Sequence, residues 1–228
     1  MFTVTTFVLV PGAGGAAWYW HRVVPLLIEA GHEAIALDLP ADDPASGLPE
    51  YARLISDAVG SRSDVVLVAQ SLGGFSATQA AASGEHPGLR ALVFVNAMIP
   101  DPGETAGDWW THVDQEKALR AAAEAGGWPA EFDLETHFTH DVPPEVLASG
   151  ADHQRDETDT AFAAPCDFTE WPPITIRVVA GRDDRFFPVA FQQCIARKRF
   201  GIEPDVLPGG HLMALSRPAE LADYLIAI

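Results

Sequence analysis

The sequence feature that most constrains the fold is the stretch from Val65 to Gly74, where an apolar run ends abruptly in a serine. A strand that turns directly into a helix forces the residue at the turn to a positive φ, so small residues are needed two positions before it and two positions after it. Ala69 and Gly73 meet this requirement around Ser71. We therefore predict a strand, a tight turn and a helix start, with the Ser71 hydroxyl exposed at the tip. The same residues also fit a simpler interpretation, in which the glycines end a strand and Ser71 caps the following helix.

Patterns typical of strands and helices alternate along most of the chain. Short apolar runs predict buried strands, which we place at residues 7–10, 34–37, 65–70, 89–95, 174–179 and 204–207. Amphipathic or alanine-rich segments predict helices, which we place at residues 18–30, 50–59, 75–82, 191–199 and 218–226. Because parallel strands need covering crossovers, this alternation predicts an α/β fold with a doubly wound, mostly parallel sheet.

The pattern changes between residues 100 and 173, where short helical pieces and turn-rich stretches replace the sheet-like runs. We interpret residues 100–173 as an inserted helical cap over the carboxyl edge of the sheet, where open α/β sheets bind their ligands. Residues 1–99 and 174–228 then form the core domain.

Large aromatic residues of the predicted cap are candidates for a pocket lining. They are Trp109, Trp110, Trp128 and Phe138. Each of them fits a second interpretation at least as well, in which it belongs to a small core of the cap itself.

The charge of the chain argues against several classes of partner. The 228 residues include 14 basic and 32 acidic side chains, for a formal net charge of −18. The resulting field repels phosphate backbones and anionic membrane surfaces, so we expect neither nucleic acid nor a membrane as a partner. We also expect no signal segment and no bilayer-spanning run, which makes a cytoplasmic location the default.

The residue patterns predict neither a metal nor a cofactor. Cys166 and Cys194 are too few for a disulfide framework and lack metal-ligand spacing. The glycine-rich loop at residues 11–17 follows a strand, but it lacks the spacing of dinucleotide-binding and phosphate-binding loops. Its small residues can instead present backbone N–H groups to a developing oxyanion.

A serine, an aspartate and a histidine stand in an order that suits nucleophilic catalysis. A serine hydroxyl needs a neighbouring base, and the base needs a third group to orient it. His211 follows a glycine pair after the last strand, whereas His21 lies in a helical pattern that faces no predicted catalytic edge. Asp183 and Asp184 both follow the preceding strand, and only one of them can face His211, because successive side chains point in different directions. The order Ser, Asp, His is the one expected of an α/β-hydrolase.

These motifs resemble those of the α/β-hydrolases in the methylesterase and hydroxynitrile lyase group. The matching stretches span nearly the whole chain and lie at residues 7–38, 69–74, 184–192 and 209–222. In this group the acid is followed four residues later by proline and soon after by Phe-Gln, so the resemblance selects Asp184 rather than Asp183. The resemblance also implies an oxyanion hole formed by the backbone N–H groups of Ala13 and Leu72.

Departures from the group help to choose between its two chemistries. Histidine is usual where Pro11 and Gln70 stand, but neither change removes a reacting group. The lyases resemble one another in having a threonine after the position of Pro11 and a lysine directly after the catalytic histidine. Here those positions are Gly12 and Leu212, which we count among the pocket residues. Without a cation at this place, a departing cyanide would enter apolar surroundings at a considerable free-energy cost, so ester hydrolysis is favoured.

The resulting hypothesis is a serine esterase that cleaves a small, largely apolar carboxylic ester through an acyl-enzyme intermediate. Ser71 is the predicted nucleophile, His211 the base and Asp184 the acid that orients it. Two alternatives stay open: a lyase that cleaves cyanohydrins, and a non-catalytic receptor for a small ligand on the same fold. The oligomeric state is also open, and a homodimer is among the possibilities.

Overall fold

Six parallel strands form the sheet that carries the candidate site. The computed structural model describes residues 4–228, and within them the strands lie in the order β2-β1-β3-β4-β5-β6. The strands are Thr6–Val10 (β1), Glu33–Ala36 (β2), Val65–Gln70 (β3), Leu89–Val95 (β4), Thr175–Gly181 (β5) and Asp205–Leu207 (β6). Every neighbouring pair is parallel, so the carboxyl ends of all these strands lie at one edge of the sheet.

Helices occupy the connections between the strands and the stretch after the last strand. They are Val24–Glu29 (α1), Leu48–Val59 (α2), Gly73–Ala82 (α3), Ala106–His112 (α4), Gln115–Gly126 (α5), Pro144–Ser149 (α6), Asp159–Ala163 (α7), Val189–Phe200 (α8), Met213–Ser216 (α9) and Pro218–Ile226 (α10). Single turns of other helix types lie at Ala17–Trp20, Glu135–Thr139 and Ala151–His153. Among the helices of residues 4–228, none combines the length and the apolar character that crossing a bilayer requires.

Both faces of the sheet are buried, which explains why its strands are continuous apolar runs. Val8 and Leu67 pack on one face together with residues of α2, α3 and α8. Their neighbours Leu9 and Val66 pack on the opposite face with residues of α1 and α10. This arrangement confirms the predicted α/β fold with a doubly wound parallel sheet.

The segment predicted as one helix at residues 18–30 is divided in the structure. Ala17–Trp20 form a 3-10 turn, and α1 begins only at Val24. Pro25 lies in the first turn of α1, where the missing N–H costs no helical hydrogen bond, so the proline favours a helix start at this point. The side chain of Trp20 is fully buried and anchors the separate turn in the core.

Between β4 and β5, the described chain contains helices and no strand. This agrees with the change of pattern predicted for residues 100–173, whereas the division of the chain into core and cap stays a prediction. Arg199 of α8 holds the start of this segment through ion pairs with Asp101 and with Glu104, the latter at 3.0 Å. The segment is therefore anchored next to the sheet before it extends over the site.

Asp64 joins three segments at the amino edge of the sheet. It precedes β3 with a φ of +57°. Its carboxylate accepts hydrogen bonds from Thr5 Oγ1 at 2.7 Å and from the guanidinium of Arg90. Burial opposes ionisation of this carboxyl, but the hydrogen bonds outweigh burial and lower the pKa of Asp64.

We expect Asp64→Asn to lower the free energy of unfolding by about 1–2 kcal/mol at neutral pH, because a neutral amide is a weaker acceptor for Arg90. Asparagine tolerates the left-handed backbone, so the substitution tests charge rather than strain. Since the folded pKa lies below the unfolded value of about 3.9, the stabilisation is present above that value and is lost as the pH falls through the folded pKa. Urea unfolding at neutral pH and at about pH 3 measures both effects. An equal stability difference at the two pH values would contradict this account.

Candidate active site

Ser71 lies in the tight turn between β3 and α3, at the carboxyl edge of the sheet. Its φ is +50°, the left-handed value that such a turn requires. The turn is closely surrounded, because a Cβ added at Gly73 would collide with Pro11 O, and one added at Gly74 would collide with Met98 O. Met98 N also donates to Ser71 O at 3.0 Å. The two glycines are therefore required by close backbone approach, which explains the pattern of small residues in this motif.

His211 and Asp184 form a continuous row of hydrogen bonds with Ser71. His211 Nε2 lies 3.2 Å from Ser71 Oγ, and His211 Nδ1 lies 3.0 Å from Asp184 Oδ2. The second carboxylate oxygen of Asp184 accepts the backbone N–H groups of Phe186 and Phe187, both at 2.8 Å. An ionised Asp184 that accepts from Nδ1–H leaves Nε2 free to accept the serine proton. The row can therefore move a proton away from Ser71 Oγ.

The neighbouring aspartate does not contact His211. Asp183 Oδ2 accepts the backbone N–H of Gly209 at 3.2 Å, and it forms an ion pair with Arg182. Burial opposes ionisation of Asp183, but the Arg182 guanidinium and the Gly209 N–H lower its pKa. Of the two adjacent acids, only Asp184 thus lies against His211.

Aromatic rings enclose the imidazole of His211. The ring centroids of Phe138, Phe186 and Phe187 lie 4.5, 5.2 and 5.0 Å from that of His211. His211 is fully buried, and Asp184 is 4% exposed. A site from which water is excluded strengthens the electrostatic interactions within it.

The loop after β1 lies directly beside Ser71. Gly15 N donates to Gly12 O at 3.0 Å, and Gly14 has a φ of +82°. Ala13 of this loop and Leu72 of the turn both line the cavity at Ser71. The structure thus brings the two residues with the predicted oxyanion-binding N–H groups to the same side of the serine.

A partly buried carboxylate from the predicted cap holds this loop. Glu157 Oε2 accepts Gly14 N–H at 2.9 Å, and Glu157 Oε1 accepts the hydroxyl of Tyr51 at 2.7 Å. Burial raises the pKa of Glu157, and the two hydrogen bonds oppose that rise. The adjacent Arg155 donates to Gly15 O at 2.8 Å. Sequence reasoning missed Glu157, because no local motif marks a carboxylate whose partner lies 143 residues away in the chain.

A cavity of about 880 Å³ opens above Ser71. Four of the predicted pocket residues line it, namely Gly12, Trp110, Phe138 and Leu212. Trp18, Tyr19 and the segment from His153 to Asp156 also line the cavity, and sequence reasoning did not find them. The volume and the mostly apolar lining suit a small organic ligand.

Trp109 was predicted to line the pocket, and this prediction is wrong. It is fully buried among Trp110, Phe187 and Phe191, and its indole N–H donates to Ile99 O at 3.1 Å. Successive residues of a helix point about 100° apart, so only one member of this pair reaches the cavity. Trp109 therefore has the structural role and Trp110 lines the cavity.

Two further candidates lie away from Ser71. Trp128 lines a separate cleft, where the Arg185 guanidinium lies 5.0 Å from its ring centroid. His21 is exposed, and its ring stacks on Trp18 at a centroid distance of 4.6 Å. No cluster of three or more His, Cys, Asp or Glu side chains within residues 4–228 has a geometry that could hold a metal ion.

Comparison with known proteins gives a family match and related sequences. A model described as the alpha/beta hydrolase family matches residues 7–224. Norfluorocurarine synthase 1 from a Strychnos species is 24% identical, over 96% of this chain and 93% of that protein. The protein named Probable esterase PIR7A, from Oryza sativa subsp. indica, is 41% identical over 112 residues, which are 44% of this chain and 42% of that protein.

Solved structures give the same fold. The crystal structure of polyneuridine aldehyde esterase has a TM-score of 0.78 with this chain, at 20% identity and with 99% of both chains covered. At this identity the likeness shows a shared fold.

A substitution at Gly12 tests how closely the loop after β1 packs against the turn that carries Ser71. A Cβ at this position would collide with Gln70 Oε1 and would lie 2.8 Å from Ser71 Cβ. We expect Gly12→Ala to lower the free energy of unfolding by about 1–3 kcal/mol, the usual range for overpacking, and to displace Ser71. Chemical denaturation measures the stability, and labelling with a fluorophosphonate measures the reactivity of the serine.

Gln70→Ala provides the matched background for this test. It removes Gln70 Oε1, one of the two atoms with which the new Cβ would collide. Gly12→Ala should therefore cost less stability in the Gln70→Ala background than in the wild type. Equal costs in the two backgrounds would show that Gln70 does not restrict the space at Gly12.

Proposed function

The chain belongs to the alpha/beta hydrolase family, and we propose that it is a serine esterase that hydrolyses a small, largely apolar carboxylic ester. The observation that carries this proposal is the row of hydrogen bonds from Ser71 Oγ through His211 to Asp184, at 3.2 and 3.0 Å. It supplies a nucleophile, a base and an orienting acid beneath a cavity of suitable size. The esterase names among the relatives agree with this chemistry.

The first half-reaction acylates Ser71. Ser71 Oγ attacks the carbonyl carbon of the ester as its proton moves to His211 Nε2. The carbonyl oxygen becomes an oxyanion, which receives hydrogen bonds from the backbone N–H groups of Ala13 and Leu72, each worth on the order of 3 kcal/mol. Collapse of the tetrahedral intermediate breaks the bond to the alkoxy oxygen. His211 gives its proton to that oxygen, and the alcohol leaves.

The second half-reaction returns the free enzyme. His211 takes a proton from a water molecule, whose oxygen attacks the acyl carbon. The second tetrahedral intermediate expels Ser71 Oγ, which recovers its proton from His211, and the carboxylic acid leaves. Asp184 stabilises the imidazolium in both halves, because its carboxylate lies against Nδ1 while the surrounding rings exclude water.

The residue after His211 favours hydrolysis over the release of cyanide. Leu212 lines the cavity and offers no cation to a departing anion. The guanidinium of Arg155, which also lines the cavity, is paired with Asp38 at 2.8 Å. A cyanohydrin lyase would produce an aldehyde from its substrate, and a colorimetric aldehyde assay on the purified protein would detect it.

A receptor on the same fold is distinguished from an esterase by its kinetics. A receptor would bind its ligand with a large thermal shift and would react at most once per molecule. Repeated turnover of an ester, measured as product in excess of enzyme, excludes this alternative.

Ser71→Ala is the central test of the proposal. Removal of a nucleophile that acts together with its base lowers kcat by roughly 10⁶-fold in a serine hydrolase, so turnover of p-nitrophenyl acetate should disappear. Intact-mass analysis of the wild-type protein, quenched during incubation with a panel of esters, should detect an acyl group on Ser71 and report the preferred acyl chain.

Ser76→Ala is the matched control. Ser76 is a buried serine of the same region, and its hydroxyl donates to Gly73 O at 3.2 Å. This variant should keep most of the activity, and both variants should unfold at temperatures near that of the wild type. Wild-type turnover by a folded Ser71→Ala protein would overturn the esterase proposal.

A further inference from the structure

Asn96 has an unusual backbone for a buried residue. It follows β4 directly, it is fully buried, and its φ is +45°. This conformation is uncommon outside glycine, although asparagine adopts it more readily than most residues, and left-handed residues concentrate at functional sites. The hydrogen bonds of the Asn96 side chain indicate the role of this residue.

One end of the Asn96 amide holds the backbone at His211. Its Nδ2 group donates to Gly210 O at 2.8 Å and to His211 O at 3.3 Å. A second donor, Gln70 Nε2, reaches His211 O at 3.3 Å. Two buried amide side chains, Asn96 and Gln70, therefore hold the carbonyl groups of the segment that carries the base, while Asp183 and Asp141 accept the N–H groups of Gly209 and Gly210.

The other end of the amide holds the segment that carries the acid. Asn96 Oδ1 accepts Gly181 N–H at 2.6 Å and Gln192 Nε2–H at 3.1 Å. Gly181 is the last residue of β5, three residues before Asp184. Gln192 also donates to Phe187 O at 2.7 Å and lies 3.4 Å from Asp184 Oδ2. One side chain thus connects the segments of both residues.

We propose that Asn96 is a positioning residue that sets the distance between the His211 and Asp184 segments and thereby aims His211 Nε2 at Ser71 Oγ. This inference rests on the proposed esterase function. Holding both segments requires a donor and an acceptor on one short side chain, because two carbonyl groups face Nδ2 of Asn96 and two N–H groups face its Oδ1. A positioning error of about 1 Å in a catalytic group lowers the rate on the order of 100-fold, so Asn96 has a large effect without touching the substrate.

Asn96→Gly removes the amide and keeps the backbone free to adopt a positive φ. We expect kcat to fall about 10- to 100-fold, since Gln70 still holds His211 O, while KM changes less than about twofold. The rate of acylation in a stopped-flow burst should fall by the same factor as kcat.

Asn96→Asp is the isosteric variant, and it gives a signature that a merely structural residue would not produce. A protonated carboxyl has one O–H and can still donate to Gly210 O, the nearer of the two carbonyl groups, whereas an ionised carboxyl repels both. The titratable groups on or against the two segments are His211 and Asp184, Asp183, which accepts Gly209 N–H at 3.2 Å, Asp141, which accepts Gly210 N–H at 2.7 Å, and His140, which lies beside Gly210. The ratio of variant to wild-type kcat should therefore fall as the pH rises.

Thr6→Val controls for the loss of a buried hydrogen bond. Thr6 is 4% exposed, and its hydroxyl donates to Glu33 at 3.0 Å, at the amino edge of the sheet. This variant should lose stability and keep its kcat. Asn96 variants that retain the wild-type kcat and a constant activity ratio across the pH range would overturn the positioning role. If no acyl group is found on Ser71 of the wild-type protein, the proposed function itself is overturned.

Discussion

The close approach of three backbone segments at Ser71 is the constraint on which the site depends. The glycines after Ser71 lie so near to Pro11 O and Met98 O that a single methyl group would separate them. This contact joins the ends of β1, β3 and β4 at the carboxyl edge of the sheet. The left-handed backbone of Ser71 is stable because all three segments hold it, and the hydroxyl is consequently presented to the cavity rather than to a neighbouring strand.

The hydrogen-bond partners of Asp184 determine what the site can do chemically. Asp184 is buried, and its carboxylate accepts from backbone N–H groups, the Gln192 amide and the imidazole, with no ion pair to a guanidinium or an ammonium group among the described residues. The neighbouring Arg182 is paired with Asp183 instead. A fixed arrangement of dipoles stabilises the acid and leaves the imidazole as its one partner able to become charged, which is the condition under which the imidazolium gains most from Asp184.

Much of the fold was predictable from the sequence, because the strands are buried on both faces and their order along the chain allows few parallel arrangements. The positions of Ser71 and His211 followed from local motifs, and the choice of Asp184 needed a family resemblance. Local patterns could not distinguish Trp109 from Trp110, since that depends on which side of α4 faces the sheet. Glu157 and Asn96 were also missed, because the hydrogen-bond partners that define the role of each are at least 85 residues away in the chain.

The segment between β4 and β5 is fastened at two places. Arg199 holds its beginning through Asp101 and Glu104, and Glu157, further along the segment, binds the loop beside Ser71. Between these two anchors, Phe138 and Asp141 contact His211 and Gly210, but residues of the stretch without such contacts can change and alter the roof of the cavity. In evolutionary terms, the shape of the cavity can diversify at a different rate from the sheet edge that carries Ser71, Asp184 and His211.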